Sequence, residues 1–519
     1  MSPMRDPSMR RWLQALWLLV GLLLLTRLFA MAWIPLMDTT EGRYGEIGRK
    51  MLVLDDWITP WHDHGVPFWG KPPLSFWLTA GSFRLFGLNE FAARLPHFLC
   101  GVLTAVCVWN TARQRAPHEG AIAAAVLASA LLFHLSSGAV MTDAALVLGT
   151  TMAGCSVWLA IASDDAAQRS RHGWLAFIGG AIGVLAKGPL ALVLIGAPLF
   201  LWMLWCRRWM TVWQALPWVR GLLLLAALVL PWFILAERKT PGFIEYFIVG
   251  EHFHRFVTPG WDGDLYGNAH EEAKGTIWVY AAGAMAPWTA LLPAWFLWRW
   301  GLARRGRQAQ DGATWAAPKS GPWALQDHET GRLVALMALV PLVFFTASSN
   351  IIWTYVLPAM PGMAWWVGRS LGSRPMEGLR WAVVGTATAW VLLVAGLAVA
   401  EKIGRFERGS ARTMVASCEA QKRERRSDAE PVVVVVGRRS LSADYYSAGR
   451  SPRVSGLEPL VPNWPEAGQC VALFDHDFGR IAQAGLTVER DLGRMHQRRV
   501  LWVKVDPAAA NAAGQEAGR

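Results

Sequence analysis

From Trp12 to Ala400 the chain alternates long apolar runs with short polar connections. Runs of about 17 to 25 residues are enough to cross roughly 30 Å of hydrocarbon as helix. They fall near 12–34, 92–112, 120–137, 144–162, 174–186, 189–205, 221–236, 276–298, 330–347, 352–368 and 380–400. The first run is long for a signal-peptide core and no small-residue cleavage site follows it, so a retained span is expected. The pattern changes between residues 35 and 91, where "GRYGEIGRKMLVLDDW" carries Tyr44, Ile47, Met51, Leu52 and Leu54 at near-helical spacing with Glu46, Arg49 and Lys50 between them. That periodicity predicts an amphipathic helix lying along the membrane interface. "KPPLSFWLTAGSFRLFG" predicts a second, entered through Pro72 and Pro73.

After Arg405 the pattern turns polar and then to strands. "PVVVVVGRRSLSADYYSAG" predicts a buried strand and a helix; "CVALFDHD", "RIAQAGLTVERDLG" and "RRVLWVKV" continue as strand, helix and strand. The expected organisation is a membrane domain over 1–400, an outer α/β domain over 401–505 and a disordered tail over 506–519. No internal repeat is evident, which argues against the inverted-repeat architecture of many transporters.

Composition agrees with a polytopic membrane protein: 519 residues, 53% hydrophobic, 31 Trp and 17% charged, with a mean hydropathy of +0.26. The net charge of +12 does not point to nucleic acid, because Arg gathers in the connections "RQRAPH", "AAQRSRHG", "CRRW", "RWGLARRGRQ" and "GRSLGSRP". Positive-inside bias accounts for this. It places residues 35–91, 237–275 and everything after about 401 on the far face, the periplasmic side if the membrane is a bacterial inner membrane. Four of the six Cys lie in apolar runs as packing residues. Cys418 and Cys470 fall in the outer segment, where a disulfide persists if geometry allows.

Ionisable residues at the outer ends of spans are costly to hold at membrane depth without a partner or a task. Asp38 and Glu41 follow the first span, Asp143 opens the fourth, and Arg43 and Lys71 accompany them. Each carboxylate alone reads as a helix cap; together they read as a site. Lys187 in "LAKGPL" is either a snorkelling lysine, a turn residue or a phosphate contact. Tyr44 and Tyr355 are interface aromatics or substrate-facing residues. His62 and His64, or Glu251, His252, His254 and His270, are candidate ligands for a divalent metal, none of which the chemistry requires.

"DTTEGRYGEIGRKML", "DDWITPWHDHGVPFWGKPPLSFWL", "FGLNEFAARLPH", "MTDAALV", "LAKGPLALV", "GEHFHRF" and "TYVLPAMPGMAW" occur in that order over about the first 370 residues. The ordered set resembles the polyprenyl-phosphate-sugar glycosyltransferases of the aminoarabinose transferase and protein O-mannosyltransferase group. The resemblance implies an all-α polytopic GT-C fold, about 11 to 13 transmembrane helices, with a small C-terminal α/β outer domain. It implies transfer of a sugar, with inversion, from a polyprenyl-phosphate donor to an envelope lipid or glycan acceptor such as lipid A, or to a protein.

In that chemistry Lys71, Arg43 and Arg255 would stabilise the departing phosphate. Asp38 would be the first choice of base, with Asp143 and Glu41 as further acidic residues, and Tyr44, Tyr355 and His252 would contact substrate. Three positions depart from the family pattern: Thr40 precedes Glu41 where an Asp is usual, Gly70 precedes Lys71 where a Glu is usual, and Ile351 and Ile352 stand where a Lys is common. From other classes, a polar-lipid or sugar transporter and a non-catalytic assembly subunit are the competing readings.

Overall fold

The computed structural model describes residues 6–267, 270–304, 322–427, 430–457 and 464–506. Part of the fourth Arg-bearing connection, "RWGLARRGRQ", and nearly all of the predicted tail therefore lie outside the described residues. Helices α1 (Pro7–Trp33), α2 (Thr40–Val53), α3 (Leu74–Phe86), α4 (Glu90–Ala112), α5 (Pro117–Ser129), α6 (Leu131–Ser136), α7 (Asp143–Ala162), α8 (Ala166–Lys187) and α9 (Leu190–Cys206) follow one another through the first half. A two-stranded hairpin of β1 (Trp61–Asp63) and β2 (Val66–Pro67) interrupts them.

Every apolar run of the sequence lies on helix. Among the described residues, six helices are singly long and apolar enough to cross a membrane, or seven if the pair Thr276–Ala284 and Trp288–Trp300, bent by 79°, forms one span. The remaining runs fold as shorter or broken pieces. Ala130, extended, separates α5 from α6, and a short 3-10 segment, Trp353–Ala359, leads into the helix Met360–Gly372. Such pieces are stable in hydrocarbon only when neighbouring helices satisfy them. The packing that does so uses small residues: a Cβ on Gly149 of α7 would lie 2.5 Å from the Gly183 backbone nitrogen of α8, so the two backbones meet directly.

The three segments assigned to one face by charge bias do share one end of the bundle. Their convergence is built on buried charge. Arg94 of α4, 3% exposed, donates to the Met31, Ile34 and Pro35 carbonyls at the end of α1, which no helical amide reaches. Its other edge meets Glu41 in a two-point pair at 2.8 and 2.6 Å. Glu41 also accepts from the Val140 amide just before α7. At the other end, Arg115, Arg208 and Arg369 from three of the Arg-bearing connections pair with Asp327 or Glu329.

The C-terminal unit is a five-stranded mixed sheet in the order β4 (Arg453–Val454), β3 (Val434–Val436), β5 (Gln469–Leu473), β7 (Arg498–Val505), β6 (Leu486–Met495). Cys418, on helix Arg412–Glu424, is disulfide-bonded to Cys470 of β5. The helix expected over "RIAQAGLTVERDLG" is only Gly479–Gln483; Gly485, at φ +68°, follows it and the rest becomes β6. β6 and β7 turn at His496 and Gln497, both in the left-handed region, so the alternating β-branched and polar pattern is satisfied as a hairpin.

This unit sits directly on α2. The helix Leu441–Tyr446 approaches so closely that a Cβ on Gly42 would lie 2.7 Å from the Ser442 nitrogen. Tyr446 accepts from the Leu36 amide and donates to Glu90. The polar side of α2 expected to face headgroups is covered: Glu46 and Arg49 are buried as an ion pair at 2.6 Å.

Asp38 is part of the same junction. One carboxylate oxygen accepts from the Ser442 amide at 2.6 Å; the other accepts from the Ser440 hydroxyl at 2.9 Å and lies 3.0 Å from His496 Nε2. Burial pushes its pKa upward, but His496 and the serine donors outweigh it and hold the carboxyl below the usual range.

Two outcomes follow for stability. Arg94→Ala strands Glu41 and three carbonyls, and is expected to cost about 3–5 kcal/mol, read as a lower thermal midpoint in detergent. Because the Asp38 pKa is depressed in the folded state, its contribution is present above the unfolded carboxylate value of roughly 3.9 and disappears as pH falls through the lower folded value. Proteolysis of the C-terminal unit should therefore accelerate on acidification in the wild type, while Asp38→Asn should be cleaved faster at neutral pH and show less of that acid dependence.

Candidate functional site

A cavity of about 250 Å3 opens where α8 meets α9 and the loop after the helix Trp218–Lys239. Lys71, Lys187, Glu251, His252, Arg255 and Tyr355 supply its polar wall; Leu190, Val193, Phe256, Phe344 and Phe345 supply the apolar one. Four local structures set these side chains.

Lys71 stands at the entrance to α3, its backbone led in by Pro72 and Pro73. Lys187 is the last residue of α8, where Gly188 at φ +74° turns the chain into α9. A Cβ there would meet the Phe247 ring at 2.6 Å and His252 at 3.1 Å. Glycine is thus required both by the backbone angle and by the close approach.

"EYFIVGEHFH", Glu245–His254, winds as a π-helix, a wide turn that is rare and frequent at functional sites where it does occur. It places Glu251 beside Arg255 of the next turn. Finally, Asn350 donates to the Arg255 and Thr258 carbonyls and accepts from the Gly260 amide, which fixes the backbone that carries Arg255.

The ionised groups are tightly interlocked. Lys71 Nζ lies 2.9 Å from Glu251, and Arg255 Nη1 lies 3.1 Å from Glu251 and 3.1 Å from Asp264. Burial raises the Glu251 pKa, yet Lys71 and Arg255 prevail and hold it below its ordinary value. Burial opposes the Arg255 charge, but Glu251, Tyr355 and Asp264 more than compensate and its pKa is raised. Lys187 Nζ is 2.6 Å from Asp143 and sits 5.1 Å from the centre of the Tyr355 ring, within reach of a cation–π contact.

Tyr44 is wedged edge-on against Phe68 and Phe76, and burial first, then Asp143 and Glu251 against Arg43 and Lys187, push its pKa to about 12. Arg43 has a buried Nε with no hydrogen-bond partner among the described residues.

Of the residues expected from the sequence, Lys71, Arg255, His252 and Tyr355 line one cavity, and Asp143 joins it through Lys187. Tyr44 lies within electrostatic reach of Lys187 and Glu251, next to Arg43 in the chain. Asp38 and Glu41 do not line it: Asp38, the expected base, is occupied by Ser440, Ser442 and His496, and Glu41 by Arg94. The reason is electrostatic, since a buried cation or amide cluster draws in the nearest carboxylate.

His252 acts as a brace, its ring nitrogens facing the Phe247 and Lys187 carbonyls, and burial lowers its pKa. Among the described residues no group of three or more His, Cys, Asp or Glu is arranged to hold a metal ion. Reading the sequence left Lys187 undecided and assigned Glu251 only as a metal ligand. The i, i+4 spacing of Glu251 and Arg255 was the available signal for their pairing. Nothing local marks Asn350 or the Phe256, Phe344 and Phe345 wall.

Comparison with known proteins agrees with the motifs. The family model described as dolichyl-phosphate-mannose-protein mannosyltransferase matches residues 13–247. The undecaprenyl phosphate-alpha-4-amino-4-deoxy-L-arabinose arabinosyl transferase of Erwinia tasmaniensis is 30% identical over 63% of this chain and 54% of its own length. A corresponding Pseudomonas fluorescens protein is 30% identical over 68% of this chain and 58% of its own. The chain thus spans little more than half the length of the curated relatives it matches. In fold, ArnT from Cupriavidus metallidurans, solved with undecaprenyl phosphate bound, aligns with a TM-score of 0.74 at 18% identity, over 94% of this chain and 98% of that one. In sequence the chain is similar to these transferases over little more than half their length, it shares the fold of ArnT, and its long apolar helices make it a multi-pass membrane protein.

Proposed function

We propose that the protein transfers a sugar from a polyprenyl-phosphate donor to an envelope acceptor, lipid A being the reading the site favours, at the periplasmic face of a bacterial inner membrane. The observation that carries this is the cavity's two-sided wall: Lys71, Lys187 and Arg255 on one side, Leu190, Val193, Phe256, Phe344 and Phe345 on the other. A phosphate esterified to a polyprenyl chain presents that pair of surfaces. The relatives' names specify undecaprenyl phosphate carrying aminoarabinose, and the similar ArnT holds undecaprenyl phosphate. The periplasmic assignment rests on the Arg-bearing turns at the other end of the bundle.

In this reading Lys71 and Arg255 hold the phosphate as the bond from the sugar's anomeric carbon to the phosphate oxygen breaks and its electron pair passes to that oxygen. Preorganised cations aimed at the developing charge are the largest single contribution available to such a site. Arg43, half-buried beside Tyr44 with an unsatisfied Nε, adds to the field. The acceptor oxygen attacks from the opposite face, giving inversion. Asp143 orients Lys187 and is the carboxylate placed to position the acceptor.

Each of the carboxylates named here, Asp38, Glu41, Asp143, Glu251 and Asp264, has a charged or hydrogen-bonding partner. A nucleophile that brings its own negative charge, such as a lipid phosphate, needs no general base, whereas a hydroxyl does. That difference favours a phosphorylated glycolipid over a protein side chain.

Membranes from cells with and without the protein, compared by mass spectrometry of lipid and glycan fractions, test the proposal. A sugar increment on the lipid A fraction that depends on the protein is expected. Lys71→Ala and Arg255→Ala should each lower transfer by about 10²–10³-fold when compared at equal amounts of folded protein. An increment on protein alone, no increment in any fraction, or full transfer by Lys71→Ala would overturn it.

A further inference from the structure

Glu251 occupies an unexpected place. Its side chain is 5% exposed, it lies between the two cations assigned to the donor phosphate, and it takes up Lys71 Nζ and Arg255 Nη1. Lys71 Nζ meets one oxygen at 2.9 Å; Arg255 Nη1 meets the other at 3.1 Å. The Tyr246 hydroxyl donates to the Arg255-facing oxygen at 3.3 Å. A carboxylate and a phosphodiester carry the same single charge and offer similar acceptor oxygens. Two such anions cannot share one pair of cations without strong mutual repulsion.

We propose that Glu251 is a tethered competitor of the lipid phosphate: it neutralises Lys71 and Arg255 in the empty site, yields to the donor, and returns to displace the product. This rests on the proposed function of the cavity and adds how that cavity is emptied. Transfer breaks the bond from the anomeric carbon to the phosphate oxygen and leaves that electron pair on the phosphate. The monoanionic diester thereby becomes a monoester able to carry a second negative charge. Lys71 and Arg255 alone would hold the product more tightly than the donor, so turnover would stall on release.

An anion of fixed position that competes for the same cations removes part of this difference. The surroundings suit the exchange. Tyr246 offers Glu251 a neutral donor when it leaves the cations, and Asp264 keeps Arg255 oriented meanwhile. The wide π-helical turn at Glu245–His254 provides the backbone on which the side chain swings.

Binding of polyprenyl phosphate to the full-length protein in detergent, for wild type, Glu251→Gln and Lys71→Ala, tests this. Glu251→Gln should bind about tenfold tighter or more, since like-charge juxtaposition is removed. It should also retain its first turnover while its steady-state rate falls. Equal or weaker binding by Glu251→Gln, with binding lost in Lys71→Ala, would overturn the proposal and leave Glu251 as an organiser of the two cations. If wild type does not bind, or if Lys71→Ala binds as wild type does, the assignment of the cavity itself fails, and this inference with it. Should Glu251→Gln not fold, Glu251→Asp, which withdraws the charge by one methylene, should also bind more tightly; unchanged or weaker binding by that variant counts against the proposal equally.

Discussion

A charge removed from water must be met by an opposite charge or by several hydrogen bonds, and the end of the bundle that carries the cavity is organised by that requirement. Arg94 gathers the end of α1, the start of α2 and the turn before α7 because it is buried and has five donors to satisfy. Lys187 fixes Asp143 across two helices, and Lys71 reaches the loop after the Trp218–Lys239 helix through Glu251. Asp38 is bound into the C-terminal unit by the same logic. These contacts turn three segments distant in sequence into one wall around a cavity, with the aromatic residues Phe256, Phe344 and Phe345 closing its other side.

Much of this was legible in the sequence, and the limits are physical. Apolar runs and Arg-bearing turns predict which segments share an end, because lipid imposes a length and a charge bias that leave direct marks on composition. Helices α2 and α3 and the strand "VVV" with its following helix follow from periodicity, whereas compartment only permits a Cys418–Cys470 bond and the packing decides it. The number of helices that individually span was less legible, since Ala130 and the Trp353–Ala359 turn break apolar runs with no charged residue to announce it.

Among the expected residues, Lys71 and Arg255 do share one cavity, while the partners of the carboxylates were harder to read. Composition shows how many acids lie near the boundary, but which cation each one finds depends on crossings between helices. Asp38 and Glu41 look alike to Asp143 in sequence. Only packing reveals that Ser440, Ser442 and His496 claim the first, Arg94 the second and Lys187 the third. The departures at Thr40 and Gly70 have a matching consequence: Thr40 is exposed, Gly70 brings no charge, and Glu251 from a remote loop is the carboxylate that meets Lys71.

The claim on which the account turns is that the cavity beneath Lys71 and Arg255 receives a lipid phosphate. Cryo-electron microscopy of the full-length protein with polyprenyl phosphate tests it directly. The account predicts phosphate density within hydrogen-bond reach of Lys71 and Arg255, with the lipid chain running along Phe256, Phe344 and Phe345. Phosphate density lodged instead in the larger cleft of about 810 Å3 beside Arg49, Lys50 and Arg439, with the first cavity unchanged, would contradict it.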